Sequence, residues 1–341
     1  MLLDKTQLKS LLLSITLAVT ALLPAAAQQD KDQAQPGKPP AKAEQQDSAG
    51  TYKVNVNVVN LYFVTKDKKH KTLVPNLPQD QFEILENGQP QTIKYYKADA
   101  SQPLTMGLMV DTSGSEGRML AVEQEAAGQF ISTVLRDKDL AFLMSFDVNV
   151  DLLQDLTGRA QDLRTALHKT EINTGGGGGM PGMGGGPIPQ SRPRGTLLYD
   201  AIYLASQEKL RHEVGRKALI IFTDGNDEGS QTTLGQAIEA AQKADTIVYV
   251  LLVYDPMFIR GDREMRRLCE ETGGRVLIVG TQVKKLKQAL EEVSNELRSQ
   301  YYIGYTPSDN KADGSFRKVD VHTKSQDYVV QARKGYYAPR E

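Results

Sequence analysis

The sequence predicts an α/β fold, a doubly wound and mostly parallel sheet flanked by small antiparallel β segments. Three observations lead there. Five apolar runs, LTMGLMV (104–110), LAFLMSF (140–146), KALIIFT (217–223), TIVYVLLVY (246–254) and RVLIVG (275–280), are nearly unbroken, as in strands buried on both faces. Helical patterns at roughly 118–135, 197–212, 232–244, 262–272 and 282–299 separate most of them, and that alternation builds a doubly wound sheet. On either side of this core the apolar period shortens to two, the period of a half-buried strand.

Taken in order, residues 1–27 carry Lys5 and Lys9 ahead of the apolar stretch Leu11–Leu23 and the small-residue exit Pro24-Ala25-Ala26-Ala27. This is the layout of a secretory signal peptide cleaved after Ala27, so the chain is expected to be exported, to the periplasm or beyond. No later run approaches the roughly 20 apolar residues of a membrane-spanning helix. Residues 28–50, rich in Gln, Lys, Asp, Ala and Pro, have almost nothing to bury and are expected to be a disordered linker. Residues 51–100 form an N-terminal β segment: Val54, Val56 and Val58 alternate with polar residues, and Asn87-Gly88 is placed to turn a hairpin. Residues 101–300 hold the α/β core, whose last helix aligns Leu286, Leu290, Val293 and Leu297 in one stripe. Within it lies a glycine-rich insert, 174–190, of the density that behaves as flexible coil. No Lys-Ser or Lys-Thr follows those glycines, so they are not a phosphate-binding loop. Residues 301–341 return to strand patterns with an Asp313-Gly314 turn, and the two β segments can close into one accessory β domain.

Composition narrows the function. With 41 basic and 42 acidic residues the net charge is −1, which offers no broad footprint for nucleic acid. Cys269 is the single cysteine, so no internal disulfide is available. The four histidines, His70, His168, His212 and His322, are scattered. A helix position is expected to pack Cys269 in the core, and the tail tyrosines Tyr301, Tyr302, Tyr305, Tyr336 and Tyr337 are expected to pack the small sheet or to anchor an interface.

Ligands of a doubly wound sheet gather beyond the carboxyl ends of its strands. Asp111, Ser113 and Ser115 (DTSGS) follow the first core strand, Thr196 opens the helix after the glycine insert, and Asp224 ends KALIIFT. Each piece alone also reads as a cap or a turn: DTSGS and Thr196 as helix caps, Asp224-Gly225 as a turn. Together they make two carboxylates and three hydroxyls, hard oxygen donors with few charges, which suit Mg²⁺ or Mn²⁺. A calcium EF-hand is excluded by spacing, since the sixth position from Asp111 is Glu116 instead of glycine.

DTSGS, GTLLYDAI and FTDGND together resemble the metal-ion-dependent adhesion site of von Willebrand factor type A domains, over about 102–300, and the flanks resemble a bacterial secreted subgroup of that family. The resemblance implies a Rossmann-like fold that holds Mg²⁺ through Asp111, Ser113, Ser115, Thr196 and Asp224. It also implies a protein partner that offers an Asp or Glu carboxylate to the metal. The departure from the pattern is the glycine insert just before Thr196. The expected function is therefore a non-enzymatic adhesion or binding module. The alternatives are a structural subunit of a cell-envelope complex that docks through its β flanks, and a metal-dependent hydrolase. The hydrolase would need a general base, for which Glu116, Asp227 and Glu228 lie nearest in sequence.

Overall fold

The computed structural model describes residues 58–98, 101–114, 117, 119–172, 195–253 and 262–340. The expected leader, the linker and the glycine insert lie outside these residues. So does Ser115.

The apolar runs form the centre of a six-stranded sheet. Its strands are β5 (Leu104–Asp111), β6 (Leu140–Phe146), β7 (Val150–Thr157), β8 (Arg216–Thr223), β9 (Thr246–Leu252) and β10 (Val276–Ile278), in the order β10-β9-β8-β5-β6-β7. All neighbours pair in parallel except β6 and β7. Every residue of β5, β8 and β9 is buried, and successive side chains serve two different cores. Met106, Leu108 and Val110 face helices α1 (Leu120–Val134), α2 (Ala160–His168) and α6 (Val283–Arg298). Met109, Leu219 and Ile221 face α3 (Leu198–Leu204), α4 (Leu234–Lys243) and α5 (Asp262–Thr272). Cys269 belongs to this second core, and burial pushes its thiol well above the usual range. Gly107 lets the layers close, because a Cβ there would stand 2.4 Å from Cζ of Phe142.

β7 and α2 are not among the predicted elements. β7 is a half-exposed antiparallel edge strand, VDLLQDLT, without a continuous apolar run, and α2 buries only Leu163 and Leu167. α3 continues as a π-helical stretch, Ala205–Leu210.

The two β flanks pair with each other. One sheet has the order β13-β1-β11-β4, with β1 (Val59–Asp67), β4 (Ile93–Lys97), β11 (Tyr301–Tyr305) and β13 (Tyr328–Gln331). The other has the order β14-β12-β2-β3, with β2 (Phe82–Glu86), β3 (Gln89–Gln91), β12 (Phe316–Thr323) and β14 (Gly335–Tyr337). Both contain strands from either end of the chain. Between them Leu61, Phe63, Ile84, Ile303 and Val319 form a third core. Tyr301, Tyr305 and Tyr336 are buried there, so these three tail tyrosines pack the sandwich. The predicted Asn87-Gly88 hairpin turn joins β2 to β3, both residues at positive φ.

Candidate functional site

β5 and β8 are adjacent, yet the chain leaves β5 for α1 on one face and leaves β8 for α4 on the other. Connections that part in this way open a crevice at the strands' carboxyl ends, the topological switch point. The parallel register sets Val110 opposite Phe222, so Asp111 and Thr223 end the two strands side by side. Thr223 Oγ1 donates to Asp111 Oδ2 at 2.7 Å, and the Ser113 amide donates to Oδ1 at 2.9 Å.

Asp111 is fully buried. Burial above all, opposed by hydrogen bonds from Ser113 and Thr223 and reinforced by the nearby charge of Asp224, pushes its carboxyl up to about 6. No lysine, arginine or histidine pairs with Asp111 or Asp224 among the described residues. A buried carboxylate without a cationic partner is costly to ionise, and a bound cation is one way to offset that cost.

Asp224 is half-buried, and its Oδ1 accepts the Asn226 amide at 2.9 Å. Gly225, with φ +86, turns the chain and donates its amide to Thr223 Oγ1. Thr196 forms an antiparallel bridge with Glu228 through both backbone bonds, 2.8 and 3.0 Å. The preceding Gly195 allows the approach, since a Cβ there would meet the Glu228 carbonyl at 2.9 Å. The loop from Asp224 is then fastened to the start of α3: Asp227 Oδ1 accepts the Tyr199 amide, and Asp200 accepts the Gln231 and Thr232 amides. Asp227, one of the three acids nearest in sequence for a hydrolase, is thus engaged in holding this loop.

Two expected caps are corrected by these contacts. α1 begins at Leu120 behind Met119 with no side-chain cap, so DTSGS does not cap it. The Asp111 side chain instead binds its own turn and β8. Thr196 is not the cap of α3 either, because that position is Leu197 and carries no side-chain bond; the Thr196 backbone is committed to Glu228.

Asp147 is the residue the sequence reading missed. It is buried at the end of β6, accepts Thr112 Oγ1 at 2.9 Å on Oδ2 and the Asn149 amide at 3.0 Å on Oδ1. Its carbonyl accepts the Leu197 amide at 2.8 Å. One residue therefore joins the loops that carry Asp111, Ser113 and Thr196. The signal was present, since Asp147 follows the apolar run LAFLMSF as Asp111 and Asp224 follow theirs.

The structure brings together Asp111, Ser113 and Asp224, with Thr196 tied to both neighbouring loops through Glu228 and Asp147. Among the described residues no group of three or more His, Cys, Asp or Glu is placed to hold a metal. A cation here would need hydroxyls as well as carboxylates, which is the composition this cluster offers.

No family model and no curated protein matches the chain. It is similar to a solved von Willebrand factor type A protein from Catenulispora acidiphila at 12% identity and a TM-score of 0.48, covering 84% of this chain and 75% of that one. It is similar to the conserved hypothetical protein BatB from Bacteroides thetaiotaomicron at 16% identity and TM-score 0.44, covering 57% and 98%. A third likeness is to proximal thread matrix protein 1 of the mussel byssus, solved with a zinc-occupied MIDAS motif, at 15% identity and TM-score 0.47, covering 61% of this chain and 48% of that one.

Proposed function

We propose that the chain is an exported, non-enzymatic binding module that captures an acidic group of a protein partner through a divalent cation, Mg²⁺ or Mn²⁺. Asp111, Ser113, Ser115, Thr196 and Asp224 would hold the cation. The observation that carries this reading is the fully buried Asp111, set beside Asp224 and hydroxyl donors, with no lysine, arginine or histidine paired to it among the described residues. The cation would act as a Lewis acid for an external carboxylate: Mg²⁺ held by few carboxylates and neutral hydroxyls keeps water in its octahedral shell, which an arriving carboxylate can displace. The role of the chain's own residues is to hold those donors at strand ends that cannot move without disturbing two buried cores.

Calorimetric titration of the purified chain with Mg²⁺ and Mn²⁺, beside Asp111→Ala and Asp224→Ala, tests this. Saturable binding that both substitutions abolish, in proteins that keep their far-ultraviolet circular dichroism, is expected. Absence of binding by the unsubstituted chain, with and without blocked glutamate peptides, would sink the metal-dependent reading. The structural alternative, docking through the β flanks, would then take its place.

A further inference from the structure

Among the described acids of the loop after Asp224 and of the start of α3, Glu228 is the one that internal bonding leaves exposed. Asp111 is buried, Asp227 is bonded to Tyr199 and Ser230, and Asp200 is bonded to Gln231 and Thr232. The Glu228 backbone is fixed by its paired hydrogen bonds to Thr196, while its side chain is exposed and has no ion-pair partner among the described residues. Residues directly opposite in an antiparallel bridge project to the same side. The Glu228 side chain therefore leaves the bridge on the same side as that of Thr196, one of the proposed cation ligands.

We propose that Glu228 sets partner specificity: it selects a carboxylate that is flanked by a basic side chain. This rests on the metal-dependent reading above. The negative charge of Glu228 helps to retain the cation and opposes a bare anionic group arriving at it. A partner whose carboxylate stands next to Lys or Arg avoids that opposition, because its cation pairs with Glu228 while its carboxylate goes to the metal. Repulsion of the wrong partner and attraction of the right one then come from one residue. The charge is exposed, so the effect should be modest and salt-sensitive.

The test uses the purified chain, Mg²⁺, and two end-blocked peptides of equal length, one with a single glutamate among neutral residues and one with that glutamate flanked by lysines. Glu228→Gln is expected to weaken Mg²⁺ binding about threefold, tighten the neutral-flanked peptide about threefold at saturating Mg²⁺, and remove the preference for the lysine-flanked peptide. Glu228→Lys should reverse that preference, and raising the salt concentration should compress all three differences. A merely structural role would not move the two affinities in opposite directions. If both variants keep the parent's Mg²⁺ affinity and peptide preference while Asp111→Ala abolishes metal binding, the specificity role is wrong and the metal reading stands. If the parent chain binds no Mg²⁺ with or without peptide, both fall together.

Discussion

Asp111 is held by two opposing demands. Its hydrogen bonds to Ser113 and Thr223 favour the carboxylate, while complete burial disfavours it, and burial dominates. The sign of the pH effect follows. With the folded value near 6 and the ordinary value at 3.8, the cation-free protein binds more protons than its unfolded chain between those values. Stability is therefore lost as pH rises from about 4 to about 6, by roughly 3 kcal/mol if no other group compensates. Asp111→Asn removes the charge while its amide oxygen can still accept the Ser113 amide and its NH2 can donate to Thr223 Oγ1, reversing that bond, so its melting temperature in chelator should stay flat across that window and exceed the parent's at pH 7. Saturating Mg²⁺ should close most of that gap, because a ligand at a hundred times its Kd stabilises only the chain that binds it, by about 2.7 kcal/mol. Thermal melts at pH 4.5 and 7, with and without Mg²⁺, check both signs. An Asp111→Asn variant less stable than the parent in chelator at pH 7 would contradict the buried-charge account.

At the scale of elements, the site depends on where loops are made to stop. The segment that begins at Asp224 ends at Thr233, the cap of α4. There Thr233 Oγ1 accepts the Gln236 amide and the Gln236 side chain accepts the Thr233 amide, a reciprocal capping box. Thr233→Ala should cost about 1 kcal/mol of stability, read as a lower denaturant midpoint with an unchanged slope. A shift in slope instead would mean that the loop had changed the cooperativity of unfolding. The central strands and their helices could be read from apolar continuity and 3.6-residue stripes, because burial on both faces imposes those patterns directly. β7 and α2 could not: at the sheet's edge a strand such as VDLLQDLT is half exposed and shows no strict pattern. The caps expected at DTSGS and Thr196 failed for a related reason. A short polar residue ahead of a helix can bond to its own turn, to a helix or to a neighbouring strand, and only the neighbour decides.

The described residues are closed by the two β flanks of the α/β core. β11 lies between β1 and β4, and β12 lies between β14 and β2, so each sheet of the sandwich needs residues from before and after the α/β core. The buried Arg216, at the start of β8, bonds to the carbonyls of Gln102 and Leu297 and to the side chain of Gln300, where the chain enters and leaves that core. Glu86, buried in the sandwich, accepts the hydroxyls of Tyr305 and Tyr336 from the far end of the sequence. Removing residues 301–341 would expose Leu61, Phe63 and Ile84 and leave Glu86 without both hydroxyls. The truncated chain is expected to aggregate or to lose protease resistance over 58–98; retained resistance there, by limited proteolysis, would show that the N-terminal strands fold without their partners.

The sequence by itself determined the α/β class, the buried strands and the placement of Asp111 and Asp224 at apolar strand ends, because hydrophobic burial and secondary-structure period are local properties of a chain. Only the tertiary structure decided that the two β flanks interlock and that β5 and β8 adjoin at the switch point. It alone decided that Asp147 ties the Asp111–Ser113 loop to the loop of Thr196 and that Glu228 stands opposite Thr196. These are pairings between residues far apart in the chain. Their free energy comes from surfaces and hydrogen bonds that do not exist until the sheet has assembled.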